Sequence, residues 1–272
     1  MGIFLNTNVS SLNAQRSLGN VTMNLNKSIE RLSSGYKINK ASDGSASLLT
    51  SENLRAQIRG SQVAIGNAQQ GIGMLNTADG ALQSMYSHLQ RIREIAVEAS
   101  NGTVSDYTAA NAEISQRMSA ITAISDNTNY DNQQLLDGSV AAMTLQIGAN
   151  SGETLAIATA FADRDATALG LSTSTLASAA NATTLMGEVD TAMNNVATAL
   201  ATVGGFTGQL ENVVDNLSIT VENLTASEST IRNTDIAAET STLARLQILQ
   251  QAAASALASA NQMPSVAMRL LQ

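Results

Sequence analysis

Few residues in this chain could do chemistry. Its 272 residues include one histidine, His88, and no cysteine. A metal centre needs several nitrogen, sulfur or carboxylate ligands at short spacing, and a lone imidazole outside any His-Glu-x-x-His pattern supplies only one. His88 therefore reads as a solvated histidine on a helix face. Disulfides and thiolate chemistry are excluded by composition. Gly66, Gly71 and Gly73 follow no strand, as a phosphate-cradling loop would, and sit in helical text where small residues allow close packing. Asn-x-Ser/Thr sites begin at Asn8, Asn20, Asn26, Asn101, Asn181, Asn216 and Asn223, a number that an Asn- and Ser-rich chain reaches by chance. The reading is of no enzyme, no metal and no cofactor.

One charged segment stands out, Leu89-Gln-Arg-Ile-Arg-Glu-Ile-Ala-Val97. Arg93 and Glu94 there suit a solvated or paired face of a helix that packs between neighbouring copies. The elements around it are helical throughout. From Leu54 the residues Ile58, Ser61, Ile65, Ala68, Ile72, Leu75, Asp79, Leu82, Tyr86 and Leu89 alternate spacings of four and three, and Asn101-Gly102 closes that helix. Thr103 or Ser105 can cap a shorter one with the face Tyr107, Ala110, Ile114, Met118 and Ile121. Met186, Val189, Met193, Val196, Leu200, Val203, Leu210, Val214, Leu217, Val221 and Leu224 predict a helix of about 45 residues or more. Gly204, Gly205 and Gly208 lie inside it and mark either a weak point or a close helix approach. Leu145-Gln-Ile147 and Leu155-Ala-Ile157 predict a small hairpin near 143–158, and residues 171–184 read as a linker.

Both chain ends are amphipathic without being charged. Arg16 is the only charged side chain in residues 1–26, as Arg269 is in 246–272. Leu5, Val9 and Leu12, then Leu18, Val21, Leu25, Ile29 and Leu32, keep helical spacing at one end. Leu246, Leu249, Ala253, Leu257, Ala260 and Met263 do so at the other, before Leu270 and Leu271. The opposite faces are Asn, Gln, Ser and Thr, so they suit cover by further copies of the chain.

Composition agrees with long helices. Aromatics are 3%, tryptophan is absent and Pro264 is the single proline. A net charge of -8 offers no basic face to nucleic acid. Gln247, Gln250, Gln251, Ser255, Ser259, Asn261 and Gln262 interrupt the apolar C-terminal stretch, so no membrane span is expected. The first lysine is Lys27, and no cationic start followed by an apolar run suggests a signal peptide.

Glu30-Arg-Leu-Ser-Ser-Gly35 and Tyr36-Lys-Ile-Asn-Lys-Ala-Ser-Asp43 resemble bacterial flagellin. Ser11 to Arg16, Gln57 to Gly60, Thr77 to Leu82 and Asn132 to Gly138 are similar to further motifs of that family. So are Ser229 to Asp235, Ile248 to Ala252 and Ala258 to Gln262. The loop after Asn39 departs from it: Asp43-Gly44-Ser45-Ala46-Ser47 stands where the family usually has two acidic residues followed by Ala-Ala-Gly.

The resemblance implies a mainly α fold, a long antiparallel helical bundle with a small hairpin and termini paired as a coiled coil. It implies an inner domain from residues 1–42 and 233–272 and an outer rod from 43–232, with no variable domain. Function follows as the subunit of an extracellular swimming filament, exported without a cleaved signal peptide; a junction-type protein or a non-polymerising bundle is the alternative. Implied partners are other flagellin subunits, an export chaperone on the C-terminal helix, and the filament cap and hook-junction proteins. Arg91, Glu94, Ile95 and Glu113 match positions by which animal Toll-like receptors recognise flagellins.

Overall fold

The structure is a computed structural model that describes residues 8–101, 106–140, 142–158, 160–171 and 175–270. Five helices dominate: α1 (Val9–Ser34), α2 (Ser45–Ala99), α3 (Thr108–Asn127), α4 (Ala179–Arg232) and α5 (Ile236–Leu270). Two antiparallel hairpins lie between α3 and α4, β1–β2 (Asn129–Tyr130, Gln133–Gln134) and β3–β4 (Ala142–Gln146, Thr154–Ala158). The chain forms two compact units, Met1–Ala56 with Leu224–Gln272, and Gln57–Asn223. These bounds differ from the expected 42/43 and 232/233 because the first turns of α2 and the last of α4 belong with the terminal helices.

The central unit is built on heptads. Ser61, Ala64, Ala68, Gly71, Leu75, Ala78, Leu82, Met85, Leu89, Ile92, Ala96 and Ala99 of α2 are buried at alternating spacings of three and four. Ala182, Leu185, Val189, Ala192, Val196, Ala199 and Val203 of α4 repeat that spacing in the same core. Both seams are rich in alanine, which lets helix backbones approach. Val189, Val196, Val203 and Leu210 of the expected α4 seam are buried, while Met186, Met193 and Leu200 are half-buried on its flank and Leu185, Ala192 and Ala199 take their places. Helix α4 also begins at Ala179, so the last residues of the expected linker are helical, with Ala182 fully buried.

Hairpin β3–β4 pairs Leu145 with Leu155 and buries Ile157, as its alternation predicts. It rests on α2 where α2 has no side chain to obstruct it. A Cβ at Gly71 would collide with Leu145 Cδ1, and one at Gly60 would lie 2.9 Å from Ala149 Cβ. Gly73 lies near Tyr130, but nothing is within reach of Gly66, so the close-packing expectation fails there. The β1–β2 hairpin is new to the sequence reading. Its turn is Asp131-Asn132, at φ 48° and 62°, the pair of left-handed residues that a tight hairpin requires.

Residues 103 and 105, expected as caps, lie outside the described residues. The Asp106 carboxylate instead accepts the Thr108 amide at 2.9 Å as α3 begins, leaving Tyr107 at the cap position rather than on the helix.

Candidate functional site

In the terminal unit, α1 and α5 run antiparallel against each other. Asn8 begins α1 by accepting the Ser11 amide at 3.0 Å, and its Nδ2 donates to the Ala260 carbonyl at 2.8 Å. At the opposite end the buried Ser28 hydroxyl donates to Glu239 at 2.6 Å, with Arg31 at 3.8 Å from the same carboxylate. Glu239 sits in the first turn of α5, where the helix dipole favours an anion. Asp235 caps that helix, accepting the Ala237 and Ala238 amides at 2.9 and 3.1 Å.

The contact is regular but thin. Inward positions Ser11, Ala14, Leu18, Val21, Leu25, Ser28 and Leu32 keep heptad spacing along α1, and Leu243, Leu246, Gln250, Ala253, Leu257 and Ala260 keep it along α5. Yet in α1 only Leu25 and Ser28 are buried. The expected apolar residues, which change phase between Leu12 and Leu18, divide. Leu18, Leu25, Leu32, Leu246 and Leu257 turn toward the pair, whereas Val9, Leu12, Ile29, Leu249 and Met263 are exposed. Met23 and Ile248, each 67% exposed, join the outward set. Leu5, Leu271 and the side chain of Leu270 lie outside the described residues.

The connectors entering this pair are locked together. Helix α1 ends at Gly35 in the left-handed conformation (φ 75°), donating to the Arg31 carbonyl at 2.8 Å. Tyr36 then bridges Asn233, with Lys37 N donating to Arg232 O at 2.7 Å and Thr234 N to Gly35 O at 2.9 Å. The Arg232 guanidinium lies 4.7 Å from the Tyr36 ring centroid and donates to Glu52 at 2.6 Å. That bond holds the Glu52 carboxyl below its ordinary pKa. Nearby, Asp43 accepts from Lys27 at 2.7 Å and from the Asn39 and Lys40 amides, so its pKa falls to about 2. Sequence reasoning met both residues only inside motifs, Asp43 in the loop that departs from the family and Arg232 in Ser229 to Asp235, and gave neither a partner.

In the central unit, Arg91 donates through Nε to Glu113 at 2.9 Å and through Nη1 to Glu94 at 3.0 Å. Glu113 foremost, then Glu94, raises the Arg91 pKa, while Arg91 lowers that of Glu113. Arg117 also reaches Glu113, at 3.4 Å, and approaches His88 Nδ1 at 3.4 Å. The structure thus brings Arg91, Glu94 and Glu113 together. Ile95 is different: it is 4% exposed and belongs to the core, reaching only the floor of a 270 Å³ depression beside Arg91. Heptad packing of α2 turns the Ile95 side chain inward.

Gly204, Gly205 and Gly208 of α4 have nothing among the described residues within 4 Å of a notional Cβ, so no close approach within the chain accounts for them. Among the described residues no group of three His, Cys, Asp or Glu side chains could hold a metal ion. No helix among them is long and apolar enough to cross a membrane.

Residues 5–141 match the bacterial flagellin N-terminal helical region and residues 186–271 the bacterial flagellin C-terminal helical region. The chain is 39% identical to a flagellin of Halalkalibacterium halodurans, covering 99% of this chain and all of the relative. It is 36% identical to a flagellin of Bacillus subtilis, with 98% and 99% covered. The crystal structure of Bacillus cereus flagellin is similar over 56% of this chain and 88% of that one, at TM-score 0.50 and 28% identity.

Proposed function

This chain belongs to the bacterial flagellin family, and from that premise we propose that the outward faces of α1 and α5 are the surfaces through which its subunits polymerise. The chain is a structural subunit of the flagellar filament. The observation that carries the mechanism is the division of the terminal helices into a thin inward seam and an exposed apolar set, Val9, Leu12, Met23, Ile29, Ile248, Leu249 and Met263. Leu25, the one apolar side chain buried along α1, contributes about 1.5–3 kcal/mol, and the half-buried residues beside it add less each, against a backbone ordering cost of about 1–2 kcal/mol per residue. Contacts with neighbouring copies supply the remaining burial, so ordering of the ends is coupled to assembly. Those contacts are heterologous and do not close, which makes a filament rather than a ring.

The same faces suit an export chaperone that covers α5 before assembly, and the cap and hook-junction proteins at the ends of an extracellular filament. Seeded polymerisation followed by negative-stain imaging, with hydrogen exchange on subunit and filament, tests the mechanism. Long tubes with termini protected only in the filament support it. Termini equally protected in the isolated subunit would overturn it.

A second reading is recognition of the subunit by an animal Toll-like receptor through Arg91, Glu94 and Glu113. Its support is the exposed, mutually oriented Arg91–Glu94–Glu113 cluster. Arg91→Ala should weaken binding by about tenfold or more, the scale of an interface anchor, and Glu94→Ala by less. Unchanged signalling by soluble Arg91→Ala would leave these residues as surface ion pairs.

A further inference from the structure

Methionines divide between the two units in a way that charge and helix propensity do not require. Met74 and Met85 are buried in the central core, and Met118, Met143, Met186 and Met193 pack against it. Met23 and Met263 are the outward ones among the described residues, 67% and 57% exposed, one on each terminal helix. Met263 stands two heptads beyond Leu249, on the same outward side of α5. A thioether so exposed is open to two-electron oxidants, whereas one inside a packed core is shielded.

We propose that Met23 and Met263 are oxidation sites that control assembly: a peroxide converts them to sulfoxides on the free subunit, and the oxidised subunit no longer enters a filament. This rests on the assignment of the outward faces to subunit contacts. In the step, the thioether sulfur attacks one peroxide oxygen and the O–O bond breaks. A sulfur–oxygen bond forms, the sulfur loses two electrons, and hydrogen peroxide leaves as water. The product carries a strong dipole and a tetrahedral, branched sulfur where a flexible apolar side chain stood. On the subunit this costs little, because both positions face water. Inside a subunit contact the sulfoxide oxygen must be desolvated, so oxidation weakens the assembled state selectively. A thiol-dependent sulfoxide reductase returns the thioether with two electrons and two protons, which makes the switch reversible. Polymerisation in turn buries both sulfurs and protects them.

The test uses the full chain. Purified subunit is treated with hydrogen peroxide, oxygen incorporation is read peptide by peptide by mass spectrometry, and seeded polymerisation is followed by sedimentation. The expected result is preferential oxidation of Met23 and Met263, with the concentration needed for polymerisation raised about tenfold. Methionine sulfoxide reductase should restore it without any mutation. A Met23→Leu, Met263→Leu variant, which keeps an apolar side chain at both positions, should polymerise alike before and after peroxide. The proposal is overturned by wild-type subunit that is oxidised at both positions and polymerises normally. Equal loss in the variant, or no recovery after full repair, overturns it too. Should untreated wild-type subunit fail to polymerise on seeds, the assembly reading itself fails, which is a separate outcome.

Discussion

Along α2 in the central unit, Leu75, Ala78, Leu82, Met85, Leu89 and Ile92 are buried in unbroken heptad spacing; along α1 in the terminal unit the same spacing buries only Leu25 and Ser28. The period is shared and the outcome differs because the neighbours differ. In the central unit α2 meets α3, α4 and the β3–β4 hairpin in one core. In the terminal unit α1 and α5 pack chiefly on each other, and a pair of cylinders covers one stripe of each. A stripe buried on one side only holds such a helix weakly. On the proposed mechanism, the exposed apolar residues of the terminal unit are covered by neighbouring subunits.

The sharpest way to break this comparison is to remove the thin unit. Deleting residues 246–272 should abolish polymerisation while leaving the thermal transition of the central unit in place, read by sedimentation and circular dichroism. Filaments from the truncated chain would show that the central unit suffices for assembly.

Single core substitutions sharpen it next. Leu82→Ala removes a fully buried side chain and should lower the stability of the isolated subunit by about 2–5 kcal/mol. Leu25→Ala, made on a helix that is itself weakly held, should cost the subunit less than about 1 kcal/mol, because the ordered state of the pair contributes little to begin with. Its effect should emerge in the filament, as faster depolymerisation on heating. Equal losses in the isolated subunit would mean that the terminal pair is as firmly packed as the centre.

Much of this arrangement was legible in the residues. The long helices and the β3–β4 hairpin follow from spacing, and the family resemblance added the pairing of the ends and the assembly. Val189, Val196, Val203 and Leu210 of the expected α4 seam are core residues, but its alternate positions fall one residue off because Ala192 and Ala199, small enough to let backbones approach, register weakly as apolar beside Met193 and Leu200. Leu12 and Leu18, six positions apart, stand about 240° apart around a helix, so the change of phase between them marks two faces, but periodicity does not say which of the two meets the partner helix. The Tyr36–Arg232–Glu52 clasp was hidden for another reason. It joins residues nearly two hundred positions apart, and no local pattern encodes such a meeting.

The glycines of α4 provide a smaller test. Gly204 and Gly205 are exposed helix-interior positions with open space where a Cβ would go. Replacement of each by alanine should stabilise the central unit by about 1 kcal/mol, read as a raised unfolding midpoint. If this turn is also where helix geometry adjusts between filament forms, the double variant should show a narrower range of supercoils as pH and ionic strength change. A stabilised filament with an unchanged range would separate the two roles.

The smallest expected effect concerns Asp43, in the loop that departs from the family pattern. Its carboxylate accepts from Lys27 and from two backbone amides, and its pKa of about 2 lies below the 3.8 of an unperturbed aspartate. A depressed carboxyl pKa means that the folded state favours the ionised form, so the stabilisation is complete above about pH 4. It is lost as the pH falls through about 2, while Lys27 remains charged throughout. Because the group is open to solvent, the effect should stay local rather than unfold the unit. Carboxyl-carbon NMR should give a midpoint near the lower value, and the Asn39 and Lys40 amides, after correction for intrinsic rates, should lose protection in that window. Asp43→Asn keeps an acceptor but has no charge to titrate, so its amides should show weaker protection with no such step. A wild-type midpoint near 3.8 would mean that Lys27 and the loop amides do not hold the carboxylate in solution.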